Sequence, residues 1–162
     1  MIFHAGDVVM HWTYGLGTVI RLEKRELLGR EAMFYAVKIG DMTVWVPRDD
    51  NLGHRLRPPS SKAAFKRLVA LLGKKGAPLP QDRHERKLML AELLKDGRAE
   101  SLCEVIRSLA AYKLVRSLND NDQALLRRVQ SALLAEWGYC LDITPAEAQV
   151  QMHHMLETAA VA

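Results

Sequence analysis

The side chains whose type and spacing offer chemistry are mostly basic. Arg83, Arg86 and Lys87 lie within five positions of one another, and Arg107, Arg127 and Arg128 follow. They belong to a longer series that includes Lys62, Lys66, Arg67, Lys74, Lys75, Lys113 and Arg116. Such groups neutralise phosphates and release condensed counterions. Residues 61–128 hold 15 Lys/Arg against 8 Asp/Glu, for +7. Residues 1–60 come to +1, and residues 129–162 to −4, within a total of +4 over 162 residues. A solvated helix surface is the usual home of a charge run. The tilt of the middle segment favours phosphate contact over that ordinary explanation.

Other chemistry has little to build on. Gly15-Leu16-Gly17 lacks the third glycine and the following helix of a nucleotide cradle. The histidines His4, His11, His54, His84, His153 and His154 do not pair at i, i+4, so no metal site is expected. Asp49/Asp50 and Asp120/Asp122 read as loop acids or helix caps. Nothing nominates a nucleophile, a base or a cofactor, so the chain is not read as an enzyme, and no small-molecule substrate is expected. Cys103 and Cys140 form no Cys-x-x-Cys pair and read as reduced structural thiols. With no export signal at the N-terminus and no apolar run of membrane-spanning length, a cytoplasmic protein is expected.

The basic residues need helices to carry them, and the periodicity supplies these from Lys62 onward. Phe65, Leu68, Val69 and Leu72 share one face of a first helix. Asp82 with Glu85 opens a second, which ends by Gly97. Leu102, Val105, Ile106 and Leu109 mark a third. Asn119 with Asp122 starts a fourth, with Leu126, Val129, Leu133 and Trp137 on its apolar side. Thr144-Pro145-Ala146-Glu147 starts a fifth.

Residues 6–46 alternate with period two. The sets are Val8, Met10, Trp12; Leu16, Thr18, Ile20, Leu22; Met33, Tyr35, Val37, Ile39; and Met42, Val44, Val46. Four short strands predict a small, bent β-barrel, and Arg48–Ser61 reads as loop. The fold class is therefore α+β: a Tudor/SH3-like barrel over 1–57, a linker at 58–61, and an all-α domain of about five helices over 62–162. If Val44 and Val46 point inward, Trp45 points outward, and Phe34 stands likewise opposite Met33 and Tyr35. Both aromatics are expected at a contact surface unless other segments cover them. Lys24, Arg25, Glu26 and Leu27 continue the second strand with charges that guard an exposed edge. Such an edge can also accept a partner's strand.

Several motifs resemble the CarD/CdnL family of bacterial transcription regulators. Met1-Ile2-Phe3, Gly6-Asp7-Val8-Val9, Tyr14-Gly15-Leu16-Gly17 and Val44-Trp45-Val46-Pro47 look like its N-terminal domain, and Gly53 and Arg55 fit its Gly-x-Arg. Glu104-Val105-Ile106-Arg107-Ser108-Leu109 resembles a helix of its second domain. The resemblance implies a barrel, shared with the transcription-repair coupling factor, that binds the RNA polymerase β subunit by strand pairing. It also implies a helical domain that contacts promoter DNA and stabilises the open complex, without catalysis or cofactor. Arg25, Leu27 and Trp45 fall at family positions for polymerase contact. Arg83, Arg86, Lys87, Arg107, Arg127 and Arg128 are the candidate DNA contacts.

The family's second helix begins with a Trp that wedges into the minor groove; Arg83 stands at that position here, and only Arg86 matches the residues that follow it. A guanidinium can still enter a narrow minor groove. The alternative is a polymerase-binding adaptor whose helices engage a protein. An RNA-binding barrel is disfavoured by the barrel's charge of +1.

Overall fold

A computed structural model describes residues Ile2–Val161 as two compact units that divide between Pro59 and Ser60. The N-terminal unit is a five-stranded antiparallel sheet. Its strands are β1 (Val8–His11), β2 (Gly15–Leu27), β3 (Arg30–Ile39), β4 (Met42–Pro47) and β5 (Leu56–Arg57). The order is β4-β3-β2-β1-β5, so β4 and β5 are the edges, and no pairing among the described residues joins them. A short helix α1 (Leu52–Arg55) and β5 occupy the segment expected as loop. The two-residue β5 pairs with Met10 and His11 of β1. Such short elements carry no periodicity that a sequence pattern can register.

The core of this unit is Phe3, Val9, Val19, Tyr35, Val37, Ile39, Val46, Leu52 and Leu56. The β3 alternation is as expected. In β1 Met10 is buried as expected, but so is its neighbour Val9, and Trp12 is exposed; in β2 Val19 is buried while Ile20 and Leu22 are exposed. A β-bulge also interrupts β2. Val19 pairs with Val37, yet Arg21 pairs with Ala36, so the register shifts between them. One extra residue moves every later side chain to the opposite face. Before the bulge, odd-numbered residues of β2 face the core. After it, Arg21, Glu23 and Arg25 face away from it.

The second unit is helical: α2 (Lys62–Leu72), α3 (Arg83–Leu94), α4 (Ala99–Val115), α5 (Asp120–Leu141) and α6 (Pro145–Ala160). The caps are those the sequence signals. Ser61 and Asp82 accept N–H bonds at the starts of α2 and α3, and full capping boxes open α5 at Asn119/Asp122 and α6 at Thr144/Glu147. Each such cap contributes about 1 kcal/mol. α4 packs against α2, α3, α5 and α6. Its Leu102, Val105, Ile106 and Leu109 are buried with Phe65, Leu72, Leu90, Val129, Leu133 and Trp137. The unit's first residue is also held: Ser60 donates its N–H and its hydroxyl to Glu136 Oε2, both at 2.9 Å, and its carbonyl accepts from Cys140 Sγ at 3.0 Å.

Candidate functional site

The bulge determines the chemistry of the exposed sheet face. Arg21 and Trp45 both lie beside Ala36, on opposite sides of β3. Trp45 is 40% exposed. The Arg25 guanidinium carbon sits 4.3 Å from its ring centroid. The Trp45 indole N–H donates to Glu23 Oε1, and Arg21 Nε donates to Glu23 Oε2 at 2.7 Å. Arg25 also approaches Glu23 Oε1 at 3.8 Å. Arg21 holds the Glu23 carboxyl below the usual carboxylate range, with the Trp45 indole and Arg25 adding to the effect and burial opposing it. Glu23 therefore stays an anion that fixes two guanidiniums and the indole in one layer.

Arg25, Leu27 and Trp45 are thus brought onto one face, Leu27 two residues beyond Arg25 toward the turn and exposed. Phe34 departs from expectation. It is on the predicted face but only 7% exposed, because it lies on an inner strand between Glu23 and Pro47 in register. Glu23 is the member that reading by residue type missed. Its signal was present as Arg21-x-Glu23-x-Arg25, a charge alternation at the period of one strand face.

The face also ends in open backbone. Beyond Val19, whose N–H and carbonyl still bond to Asp7 and Gly6, β2 continues to Leu27 paired only with β3, and β4 is an outer strand. Both present unpaired peptide groups of the kind another strand can complete. The turn beyond Leu27 is made by Leu28 (φ 52°) and Gly29 (φ 76°), and Leu28 is 95% exposed.

The six basic residues expected on the helical unit are split by the fold. Arg83 and Lys87 are exposed on α3, four residues apart and so on one side of it. Arg127 and Arg128 are on α5, and both are exposed. Arg107, on α4, is half-buried. Arg86 does not fit a phosphate contact. It is 3% exposed, and its Nε and Nη2 donate to Asp122 Oδ2 at 3.0 and 2.7 Å. Its Nη1 donates to the carbonyls of Pro80 and Gln81 and to the Tyr112 hydroxyl. The hydrogen bonds to Asp122 raise the Arg86 pKa further, against the effect of burial. This guanidinium ties the start of α3 to the start of α5 and has little left to offer a ligand. Besides the polar His84, Glu85 and Glu92, α3 also exposes two large apolar side chains, Leu88, 58% exposed, and Met89.

No group of three or more His, Cys, Asp or Glu that could hold a metal is found among the described residues. Burial pushes the Cys103 thiol up to about 12, against the pull of Arg107, so it is inert near neutral pH. Within the described residues, no helix is long and apolar enough to cross a membrane.

Comparison with known proteins bears out the resemblance read from the sequence. Residues 3–58 match the family described as "CarD-like/TRCF RID domain". That match spans the whole sheet, from before β1 to the end of β5. Over 147 residues the chain is 25% identical to "Putative transcription factor YdeB" of Bacillus subtilis (strain 168), covering 88% of this chain and 95% of that protein.

Proposed function

We propose that this CarD-like chain is a transcription regulator that binds RNA polymerase through its N-terminal unit and promoter DNA through its helical unit. The observation that carries the polymerase half is the Arg25–Trp45–Glu23 layer on the exposed face of β2, β3 and β4, inside the segment that matches the RID domain. A Trp and an Arg held in place before binding are the residue types that dominate interfaces. The open edges beside them fit strand pairing with the β subunit. The relative named as a transcription factor aligns over both units and supports the regulatory reading.

For the DNA half, Arg83, Lys87, Arg127 and Arg128 supply accessible positive charge, and the reading ends in modulation of the open complex. Arg86 is not part of this set. The experiment is co-elution of the full chain with the isolated β lobe. Wild type is expected to co-elute, Arg25→Glu to be lost, and Trp45→Ala to be weakened about tenfold. Absence of wild-type binding would overturn the proposal.

Leu88 and Met89 favour a second reading. An exposed apolar pair beside Lys87 suits a protein partner as well as DNA. In that adaptor reading the helical unit engages protein. Leu88→Ser would then abolish capture of the partner while leaving DNA affinity unchanged.

A further inference from the structure

The helical unit contains a groove of about 320 Å³ that no role above uses. The C-terminal half of α4 forms one wall, through Arg107, Ala111 and Leu114. The C-terminal half of α6 forms another, through Leu156 and Ala160. The loop after α2 closes one end with Lys75 and Gly76. This loop lies directly on α4: a Cβ on Gly76 would fall 2.4 Å from the Arg107 carbonyl oxygen. A glycine there lets the backbone serve as a wall, and the alanines keep the space between the helices open.

The groove is mostly apolar, yet a cation stands in it. Arg107 Nε is buried and has no hydrogen-bond acceptor among the described residues. That nitrogen is itself enclosed, so Arg107 meets the groove as a positive charge on its wall and not as an open Nε–H. Lys75, exposed at the same end, adds a second positive charge. The acid at the rim, Glu157, is engaged by His153 at 3.0 Å. The size is that of a small-ligand site. The charge pattern asks for an anionic head on an apolar body.

We propose that this groove binds a small anionic amphiphile, an acyl chain of medium length with its carboxylate on Arg107 and its chain between α4 and α6. The carboxylate is attracted by the Arg107 guanidinium and by Lys75. Leu114, Leu156 and the alanines take the chain out of water. A ligand here would join the C-terminal ends of α4 and α6 and occupy Arg107, removing that residue from any phosphate contact.

Calorimetric titration of the full chain with decanoate and with decanol tests this. Both use the protein without polymerase or DNA, so the result stands apart from the proposed function. Decanoate is expected to bind saturably at one site, and at least tenfold more tightly than decanol. Arg107→Gln is expected to weaken decanoate at least tenfold and leave decanol unchanged. Ala111→Phe fills the groove and is expected to remove both. The proposal is overturned if wild type shows no saturable decanoate binding, if decanol binds equally well, or if a folded Arg107→Gln binds decanoate like wild type. Should either variant fail to fold, the comparison of decanoate with decanol on wild type still decides.

Discussion

Arg25 and Trp45 come from strands that are not neighbours, yet the guanidinium carbon of one lies 4.3 Å from the ring centroid of the other. The bulge after Val19 makes this possible by turning Arg25 to the outer face, and the Glu23 carboxylate accepts from the Trp45 indole. Neither residue is fixed by its own strand alone. Polymerase binding is therefore expected to respond to the pair. In a double-mutant cycle on β-lobe affinity, Arg25→Ala and Trp45→Ala should be non-additive by about 1 kcal/mol. Strict additivity would show that the two act separately.

Arg86 and Asp122 form a buried ion pair with side chains 4% and 5% exposed. Removing one partner leaves an uncompensated charge inside the protein. Arg86→Ala is expected to cost about 3–5 kcal/mol in urea unfolding. A loss below about 1 kcal/mol would contradict the structural role and return Arg86 to the candidate DNA-binding surface.

His11 supports the turn between β1 and β2. Its Nδ1 accepts the N–H groups of Thr13 and Tyr14, both at 3.1 Å, which requires a neutral ring. Burial lowers its pKa from 6.5 to about 4. The unfolded chain thus takes up the proton more readily than the folded one. The stability from this group is complete above pH 6.5 and is lost as the pH falls from there toward 4, by an amount on the order of 2 kcal/mol. The melting temperature of wild type should fall over this window. His11→Asn should show a flatter profile between about pH 7 and 4.5.

Leu28 holds a left-handed conformation at φ 52° with its side chain in solvent. An L-residue with a bulky side chain is disfavoured there, and Asn is tolerated. Leu28→Asn is expected to stabilise the N-terminal unit by about 1 kcal/mol in chemical denaturation. Destabilisation would mean that the leucine makes a contact that offsets the backbone cost.

The DNA reading predicts a salt signature. Log affinity for duplex DNA should fall linearly with log salt, and neutralising Arg83 and Lys87 together should reduce the slope by about 0.9 for each phosphate they no longer neutralise. The Arg127→Gln/Arg128→Gln pair tests α5 in the same way. A slope unchanged in both pairs would remove these four residues from the interface and leave the adaptor reading in front.

Much of this architecture is legible one residue at a time. Asn119/Asp122 and Thr144/Glu147 are caps because a side-chain oxygen three residues from an N–H has a local partner, whatever the rest of the chain does. The α4 stripe of Leu102, Val105, Ile106 and Leu109 is periodic because one side of a helix must be dry. The exposed Trp45 follows from the alternation of its flanking valines. Short-range geometry decides such features, and the sequence states it directly.

The site depended on contacts between distant residues. Arg86 and Lys87 are neighbours of similar type, yet one is buried against Asp122, 36 positions away, and the other is exposed. No local pattern separates them. Along β2, alternation alone puts Arg25 on the side of Val19, and only the pairing of Arg21 with Ala36 moves it to the face of Trp45. A bulge is a mismatch between two strands and so has no counterpart in either strand read alone. The sequence by itself therefore determined the elements, their caps and the supply of charge. The tertiary structure decided which cations are exposed and which residues share a face, because burial and register are properties of pairs of segments.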